Sequence, residues 1–243
     1  MPFFNLCEDF LNTLTKQFRC ATDLEKNLFM RLLYPPCCIS CQDTHAHDSA
    51  YLTCFCKICE KTIVLAKPPK TSGTTKDWAI FNYRGAIKNT LLKWKSQQRW
   101  DYGKKLIQYS LHALQKQSNF SLFMSSVDLI VPIPPAFFRT LKRGLHPVDY
   151  FAKSVAQEYH KKTHFKALKR IHQSRQTAHN KQDRMEQSKN LFTLHKPNKE
   201  LKNAHVLIID DIKTTGATLQ AAKMQLKHYG VSKISTLVIA EVI

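Results

Sequence analysis

Glycine, acidic residues and long hydrophobic runs are all scarce in this sequence of 243 residues. With only 6 glycines and 10 prolines, collagen-like and low-complexity chains are excluded. Apolar runs such as residues 206–209 are far too short to cross a bilayer. The chain opens on Met1-Pro2-Phe3-Phe4 without a basic region or a long apolar stretch behind it, so we expect no secretory signal. These absences predict a cytoplasmic protein without a membrane span.

The shortage of acidic residues leaves a large positive charge. Lysine and arginine total 37 against 18 aspartates and glutamates, which gives a net charge of +19. Such an excess attracts polyanions, which include nucleic acid, phosphorylated ligands and an anionic membrane surface. The alternative interpretation is a basic surface that contacts only solvent. The hydrophobic fraction of 43% is sufficient for a packed core.

Six of the eight cysteines fall within one short stretch: Cys37, Cys38, Cys41, Cys54, Cys56 and Cys59. Clustered thiols in a chain without a secretory signal are more often metal ligands than disulfides. Two Cys-x2-Cys pairs, Cys38 with Cys41 and Cys56 with Cys59, predict a tetrahedral, structural Zn²⁺ site. Cys37 and Cys54 are alternative ligands, because they also lie within reach of the second cysteine of each pair. Reduced, unligated cysteines are the other interpretation of the cluster.

Composition and apolar spacing divide the chain into three parts. Residues 1–66 combine helical apolar spacing with the cysteine cluster, 67–76 form a linker with adjacent prolines, and 77–243 form the main domain. In the main domain, apolar strand patterns occur at 78–81, 129–131, 205–209 and 235–240. Helical patterns lie between them, around 87–92, 106–114, 148–155 and 219–229. This alternation predicts an α/β fold with a mostly parallel sheet that is flanked by helices.

The third strand pattern runs directly into a polar motif, which reads Asp210-Asp211-Ile212-Lys213-Thr214-Thr215-Gly216-Ala217-Thr218. Ligands of α/β sheets bind beyond the carboxyl ends of the strands. Threonine hydroxyls and free N–H groups at a helix start can enclose a phosphate monoester, and Gly216 allows close approach of the backbone. Asp210 and Asp211 can accept hydrogen bonds from a ribose diol. An acidic turn that only caps a helix is the simpler interpretation, but it leaves most of the motif unexplained.

This motif resembles the 5-phosphoribosyl-1-pyrophosphate (PRPP) loop of the phosphoribosyltransferase type I fold. With the cysteine pairs, the resemblance narrows to the ComF family of competence-associated proteins, through Tyr83-Arg84-Gly85 to Lys93, Val131 to Pro134, Arg139, Arg143-Gly144, Arg175-Gln176-Thr177, Asn190 and Phe192. It implies that the motif binds PRPP with Mg²⁺, and that Pro132, Pro134, Arg139 and Arg143 lie on the pyrophosphate side. The chain departs from the family pattern at Leu145-His146-Pro147, Asn180 and Gln187.

A second candidate surface lies between Tyr83 and Lys105, where basic residues alternate with aromatic ones. Its centre consists of Lys93, Trp94, Lys95 and Arg99. Exposed aromatic rings among cations can stack unpaired bases, whereas tryptophans on amphipathic helices are more often part of a core. Since no sequence-specific reader motif is present, we expect single-stranded DNA to bind here mostly by electrostatic attraction.

Two functions follow from these features. The resemblance implies a competence protein that binds PRPP and single-stranded DNA, and that helps DNA enter the cytoplasm or reach recombination proteins. It would work in the cytoplasm or peripherally at the inner face of the cytoplasmic membrane. The second function is an active phosphoribosyltransferase of nucleotide metabolism, in which Asp210 and Asp211 stabilise the positive charge that builds on the ribose as pyrophosphate leaves. The sequence indicates no acceptor for that transfer.

Overall fold

The computed structural model describes residues 37–44, 54–69, 75–97, 99–135, 146–171, 191–195 and 199–243. Its helices are α1 (Lys57–Glu60), α2 (Gly85–Gln97), α3 (Trp100–Gln115), α4 (Ser118–Ser125), α5 (Pro147–Glu158) and α6 (Ala217–His228). Its strands are β1 (Asp77–Asn82), β2 (Leu129–Pro132), β3 (Lys162–Thr163), β4 (Leu168–Arg170), β5 (Phe192–Leu194), β6 (His205–Lys213) and β7 (Lys233–Glu241). A 3₁₀ turn at Lys199–Leu201 precedes β6.

Five of these strands form one parallel sheet in the order β1-β7-β6-β2-β3. The two central partners, β6 and β7, pair from His205 opposite Lys233 to Lys213 opposite Glu241. The remaining strands, β4 and β5, form a short antiparallel pair beside the sheet. The predicted α/β fold with a mostly parallel sheet and flanking helices is therefore confirmed.

Both faces of the sheet are covered, because side chains on a strand point alternately to its two sides. On β6, Leu207 and Ile209 belong to the core under helices α2 to α5, where the largest fully buried side chains include Trp94 and Phe151. Val206 and Ile208 belong to a second core, which α6 and the β4–β5 pair cover. A strand that is apolar on both sides reads as a continuous hydrophobic run, which is the pattern predicted for residues 205–209.

The cysteine segment, which comprises the described residues 37–44 and 54–66, packs onto the same core as the sheet. Ile39 and Phe55 are fully buried in the cluster that holds α2 and α3. The chain that follows α1 then pairs with the edge strand, since Asn82 donates to the carbonyl of Val64 at 2.8 Å and Ala66 to that of Ile80 at 3.0 Å. Residues 1–36 and 45–53 of the predicted amino-terminal segment (1–66), and residues 70–74 of the predicted linker, lie outside the described residues.

The structure differs from the sequence prediction mainly at short elements and at element ends. Helix α4 and strands β3, β4 and β5 are absent from the prediction. Strand β6 continues four residues past the predicted end at Ile209, because its pairing with β7 extends to Lys213. Asp210 and Asp211 are therefore residues of the strand itself rather than of the loop that follows it. Of the described helices, none is both long and apolar enough to cross a membrane.

Candidate functional site

The motif of residues 210–218 lies at the carboxyl end of β6, in the middle of the sheet. Strand β7 flanks it on one side and β2 on the other. Pro132 ends β2 opposite Ile209, and the N–H of Ile133 donates to the Ile209 carbonyl at 2.9 Å. Pro132 and the half-buried Pro134 thus stand next to the strand end that carries the carboxylates. This is the edge at which ligands bind in open α/β sheets.

Asp210 has an unusual environment for a carboxyl group. The backbone N–H of Asp211 donates to its Oδ1 at 2.8 Å. Burial and the neighbouring charge of Asp211 nevertheless raise the pKa of Asp210 to about 7, and the positive charges of Lys95 and Arg170 oppose this rise. Full ionisation of this carboxylate pair is therefore costly, and hydrogen-bond donors from a ligand would reduce that cost.

Asp211 is held by a lysine from another part of the chain. Lys95 Nζ lies 2.7 Å from Asp211 Oδ2. The phenol of Tyr83 lies in the same field, because burial and the charge of Asp211 both raise the pKa of Tyr83. Neither neighbour follows from sequence spacing, since β1, α2 and the end of β6 meet only in the folded sheet. Arg170 is likewise a neighbour of the site that the sequence does not indicate.

The turn between β6 and α6 has the backbone shape of an anion-binding loop. Gly216 precedes the helix with φ 79° and ψ 1°. This left-handed conformation is unfavourable for residues other than glycine. Because Gly216 has no side chain, it cannot cap the start of α6 with a side-chain hydrogen bond. The N–H of Ala217 instead donates to Thr215 Oγ1 at 3.4 Å. Thr214, Thr215 and Ala217 are exposed, so this turn and the start of α6 are accessible from solvent. Such a helix start favours a bound phosphate.

The remaining residues predicted for this site lie beside the turn, in the helix, or outside the described residues. Lys213 passes beside the turn, since its Cε lies 3.7 Å from the position that a Cβ atom on Gly216 would occupy, and its Nζ lies 3.4 Å from Glu241 Oε2 at the end of β7. Thr218 lies in the first turn of α6 and is half-buried. Arg139 and Arg143, predicted for the pyrophosphate side, lie outside the described residues, as do Arg175, Gln176, Thr177 and Asn190.

The two predicted cysteine pairs come together in the structure. The sulfur atoms of Cys38, Cys41, Cys56 and Cys59 all lie within 4.8 Å of one another. Cys41 Sγ and Cys56 Sγ are 3.8 Å apart. A tetrahedral Zn²⁺ with Zn–S bonds of about 2.3 Å places its sulfurs about 3.8 Å apart, so these thiols fit zinc. The N–H of Cys59 also donates to Cys56 Sγ at 3.4 Å, a hydrogen bond of the kind that supports metal ligands.

The two alternative cysteines contact other groups. Cys37 Sγ lies 3.6 Å from the hydroxyl of Tyr102. Cys54 Sγ lies 3.9 Å from the carbonyl oxygen of Lys105, to which it donates. Both sulfurs are thus engaged by α3, and the structure gathers the other four.

The centre of the predicted nucleic-acid surface needs correction. Trp94 is only 2% exposed and packs against Trp100, with ring centroids 6.0 Å apart, so it offers no face to a base. Its position three residues after Leu91 and seven after Ile87 is the helical spacing of a core residue. Lys93 Nζ donates to the carbonyl of Ser40. Arg99 is paired with Asp101 at 2.8 Å, and its guanidinium lies over the ring of Tyr102.

Comparison with known proteins agrees with the resemblance seen in the motifs. Residues 149–242, which include the whole acidic motif, match the Phosphoribosyl transferase domain. Over 108 residues the chain is 29% identical to Competence protein F of Haemophilus influenzae. This similarity covers 44% of the chain and 47% of that relative, so it extends over about half the length of each protein. The predicted resemblance to the ComF family is thereby confirmed.

The similarity to a solved structure is weaker than the similarity to Competence protein F. A purine phosphoribosyltransferase from Pyrococcus horikoshii Ot3 superposes with a TM-score of 0.38 at 15% sequence identity, over 56% of this chain and 73% of that one.

Proposed function

We propose that this protein binds PRPP at residues 210–218 and single-stranded DNA on its basic surface, in a role associated with natural competence. The observation that carries the PRPP proposal is the adjacency of Asp210 and Asp211 to a solvent-facing helix start at the carboxyl end of a central strand. The match to the Phosphoribosyl transferase domain and the similarity to Competence protein F support the ligand class and the biological role.

Each part of PRPP has a complementary group at this strand end. The 5-phosphate accepts hydrogen bonds from the N–H groups and hydroxyls of residues 214–218, where the helix dipole also favours negative charge. The ribose diol donates to the carboxylates of Asp210 and Asp211. The pyrophosphate extends toward Pro132 and Pro134, with Arg139 and Arg143 as its cationic partners. Mg²⁺, which prefers oxygen ligands and retains several waters, would arrive with the pyrophosphate oxygens.

The DNA proposal depends on charge rather than on aromatic stacking. With Trp94 buried, the remaining candidates are exposed lysines of α2 and α3, which include Lys88, Lys104 and Lys105. A net charge of +19 supports binding that depends strongly on salt and little on sequence. In this role the protein would hand incoming DNA to competence or recombination proteins, in the cytoplasm or at the inner face of the membrane.

An active phosphoribosyltransferase is the second candidate, favoured by the same carboxylate pair. As pyrophosphate departs, positive charge builds on the ribose, and Asp210 and Asp211 would stabilise it electrostatically. In that case the protein releases pyrophosphate from PRPP when a nitrogenous base is added. A panel of purine and pyrimidine bases with a pyrophosphate assay distinguishes binding alone from transfer.

Calorimetry with PRPP and Mg²⁺ tests the site directly. Asp→Asn at positions 210 and 211 removes charge with little change in volume. A lost charge-assisted hydrogen bond is worth roughly 1.5–3 kcal/mol, so each substitution should weaken PRPP binding at least about tenfold. Glu200→Gln is the matched control, because Glu200 pairs with Lys162 at the start of β3, the opposite end of the sheet. Equal affinity of the wild type and the double variant would exclude this site.

A further inference from the structure

The contact between Lys95 and Asp211 joins a helix of the amino-terminal half to the PRPP motif. Lys95 lies in the last turn of α2, and its Nζ is 2.7 Å from Asp211 Oδ2. Both side chains are largely shielded, with exposed fractions of 26% and 15%. The geometry gives Lys95 a different environment from the exposed lysines of the same helix, such as Lys88.

Helix α2 is fixed in place by the cysteine segment. At its start, the N–H of Ala86 donates to Thr62 Oγ1 at 3.0 Å. Farther along, Thr90 Oγ1 lies 3.4 Å from the carbonyl oxygen of Ile39, and Lys93 Nζ donates to that of Ser40. The buried ring of Trp94 anchors the same turn in the core. These contacts leave α2 little freedom to rotate, so the cysteine segment determines where Lys95 can reach.

The position of Lys95 matters because Asp210 and Asp211 are adjacent carboxylates. Lys95 supplies a positive charge that acts on both, since its charge also opposes the repulsion felt by Asp210. The ammonium group contacts Oδ2 of Asp211, whereas a carboxylate has two oxygens and about four acceptor positions. Among the described residues, Oδ1 of Asp211 has no hydrogen-bond partner, so it is available to a ligand hydroxyl.

We propose that Lys95 is a positioning residue of the PRPP site: it holds Asp211 in place as an acceptor for the ribose diol. The proposal rests on the proposed function of residues 210–218. It assigns Lys95 to the ligand site instead of the nucleic-acid surface. The cysteine segment then has a second role besides its structural zinc site, because it orients the helix that carries Lys95.

The test compares three variants in calorimetry with PRPP and Mg²⁺. Lys95→Met removes the charge but retains most of the stem, and should weaken PRPP binding about five- to twentyfold. Lys95→Arg restores the charge and should recover most of the affinity. Lys153→Met removes the same charge from an exposed position of α5 and should bind PRPP like the wild type. Thermal unfolding of each variant verifies that all of them remain folded.

A double-variant cycle distinguishes positioning from a general effect of charge. In an Asp211→Asn background, Lys95→Met should change PRPP affinity much less than it does in the wild type, because the carboxylate that Lys95 contacts has been altered and only its charge effect on Asp210 remains. An undiminished effect in that background, unchanged or tighter binding by Lys95→Met alone, or failure of Lys95→Arg to recover affinity would each overturn the proposal. Loss of single-stranded DNA binding with PRPP affinity intact would return Lys95 to the nucleic-acid surface. If the wild type itself does not bind PRPP, the proposed function fails and this assignment fails with it.

Discussion

Gly103 of α3 lies directly against the indole ring of Trp94 of α2. A Cβ atom built on Gly103 would overlap the ring, with Cε2 and Nε1 as its nearest neighbours. The absence of a side chain at this position is what allows the two helices to bury the tryptophan. A residue that appears in the sequence as part of a basic, aromatic surface is therefore a contact between two core helices.

We expect Gly103→Ala to destabilise the protein by about 1–3 kcal/mol, because overpacking forces the ring or the helices to shift. Denaturant unfolding measures this change. Gln108→Ala, at an exposed position of the same helix, should have little effect. Trp94→Phe should recover part of the loss in the Gly103→Ala background, since the smaller ring leaves room for the methyl group. Equal stability of Gly103→Ala and the wild type would show that the helices separate easily.

The same burial leads to a prediction for single-stranded DNA. Trp94→Phe should leave DNA affinity unchanged, because a ring that is 2% exposed cannot stack with a base. Replacing the exposed Lys88, Lys104 and Lys105 by Gln should weaken binding for all sequences alike. The slope of log K against log salt should become shallower by about 0.7 for each phosphate that the variant no longer neutralises. Fluorescence anisotropy with a labelled oligonucleotide at several salt concentrations measures both quantities.

A charge-matched variant is the control for that experiment. Gln at Lys199, Lys202 and Lys233, which are exposed on other elements, removes the same net charge. If both triple variants weaken DNA binding equally, binding follows the overall charge and no surface formed by α2 and α3 exists.

Much of the sheet was predictable because its central strands are buried on both faces. β1, β2, β6 and β7 appear in the sequence as short apolar runs, and only their ends differ. Strands β3 to β5 have two or three residues each, which is too few for a pattern to be recognised. The extension of β6 to Lys213 depends on pairing with β7 rather than on hydrophobicity, so it could not be seen locally.

The candidate site was predictable only where its residues are contiguous. The motif from Asp210 to Thr218 indicates its own chemistry, because acids, hydroxyls and glycine follow each other along the chain. The sequence does not indicate which residues lie next to Asp210 and Asp211. Lys95 and Arg170 come from elements that the fold brings to the carboxylates, and no local spacing encodes that approach. By contrast, the burial of Trp94 follows from its spacing with Ile87 and Leu91.

Asp210 should make folding stability depend on pH. Its folded pKa of about 7 lies above the ordinary value near 4, because of burial and the charge of Asp211, with Lys95 and Arg170 in opposition. The folded protein therefore binds an extra proton between about pH 4 and 7, and stability falls as pH rises through that window. Asp210→Asn removes the titrating group, so this loss of folding stability should disappear. Relative to the wild type, the variant should be more stable at pH 8 by up to a few kcal/mol, at about 1.4 kcal/mol per pKa unit.

Urea unfolding at pH 4.5 and pH 8 measures the difference, which should be much smaller at the lower pH. The same variant should bind PRPP more weakly, so stability and affinity move in opposite directions, as expected for a strained ligand site. A variant that is less stable than the wild type at pH 8 would show that the charge of Asp210 is already well compensated.

The cysteine site leads to the last prediction, which separates ligands from neighbours. Purified protein should contain about one Zn²⁺ per chain, measured by elemental analysis. Cys41→Ser should lose the metal and become sensitive to protease, because a structural zinc site contributes directly to folding. Cys54→Ser is the matched control: its sulfur contacts the Lys105 carbonyl and lies outside the cluster of four, so zinc content should not change. Zinc loss in Cys54→Ser with retention in Cys41→Ser would reverse the assignment, and wild-type protein without stoichiometric zinc would refute the site.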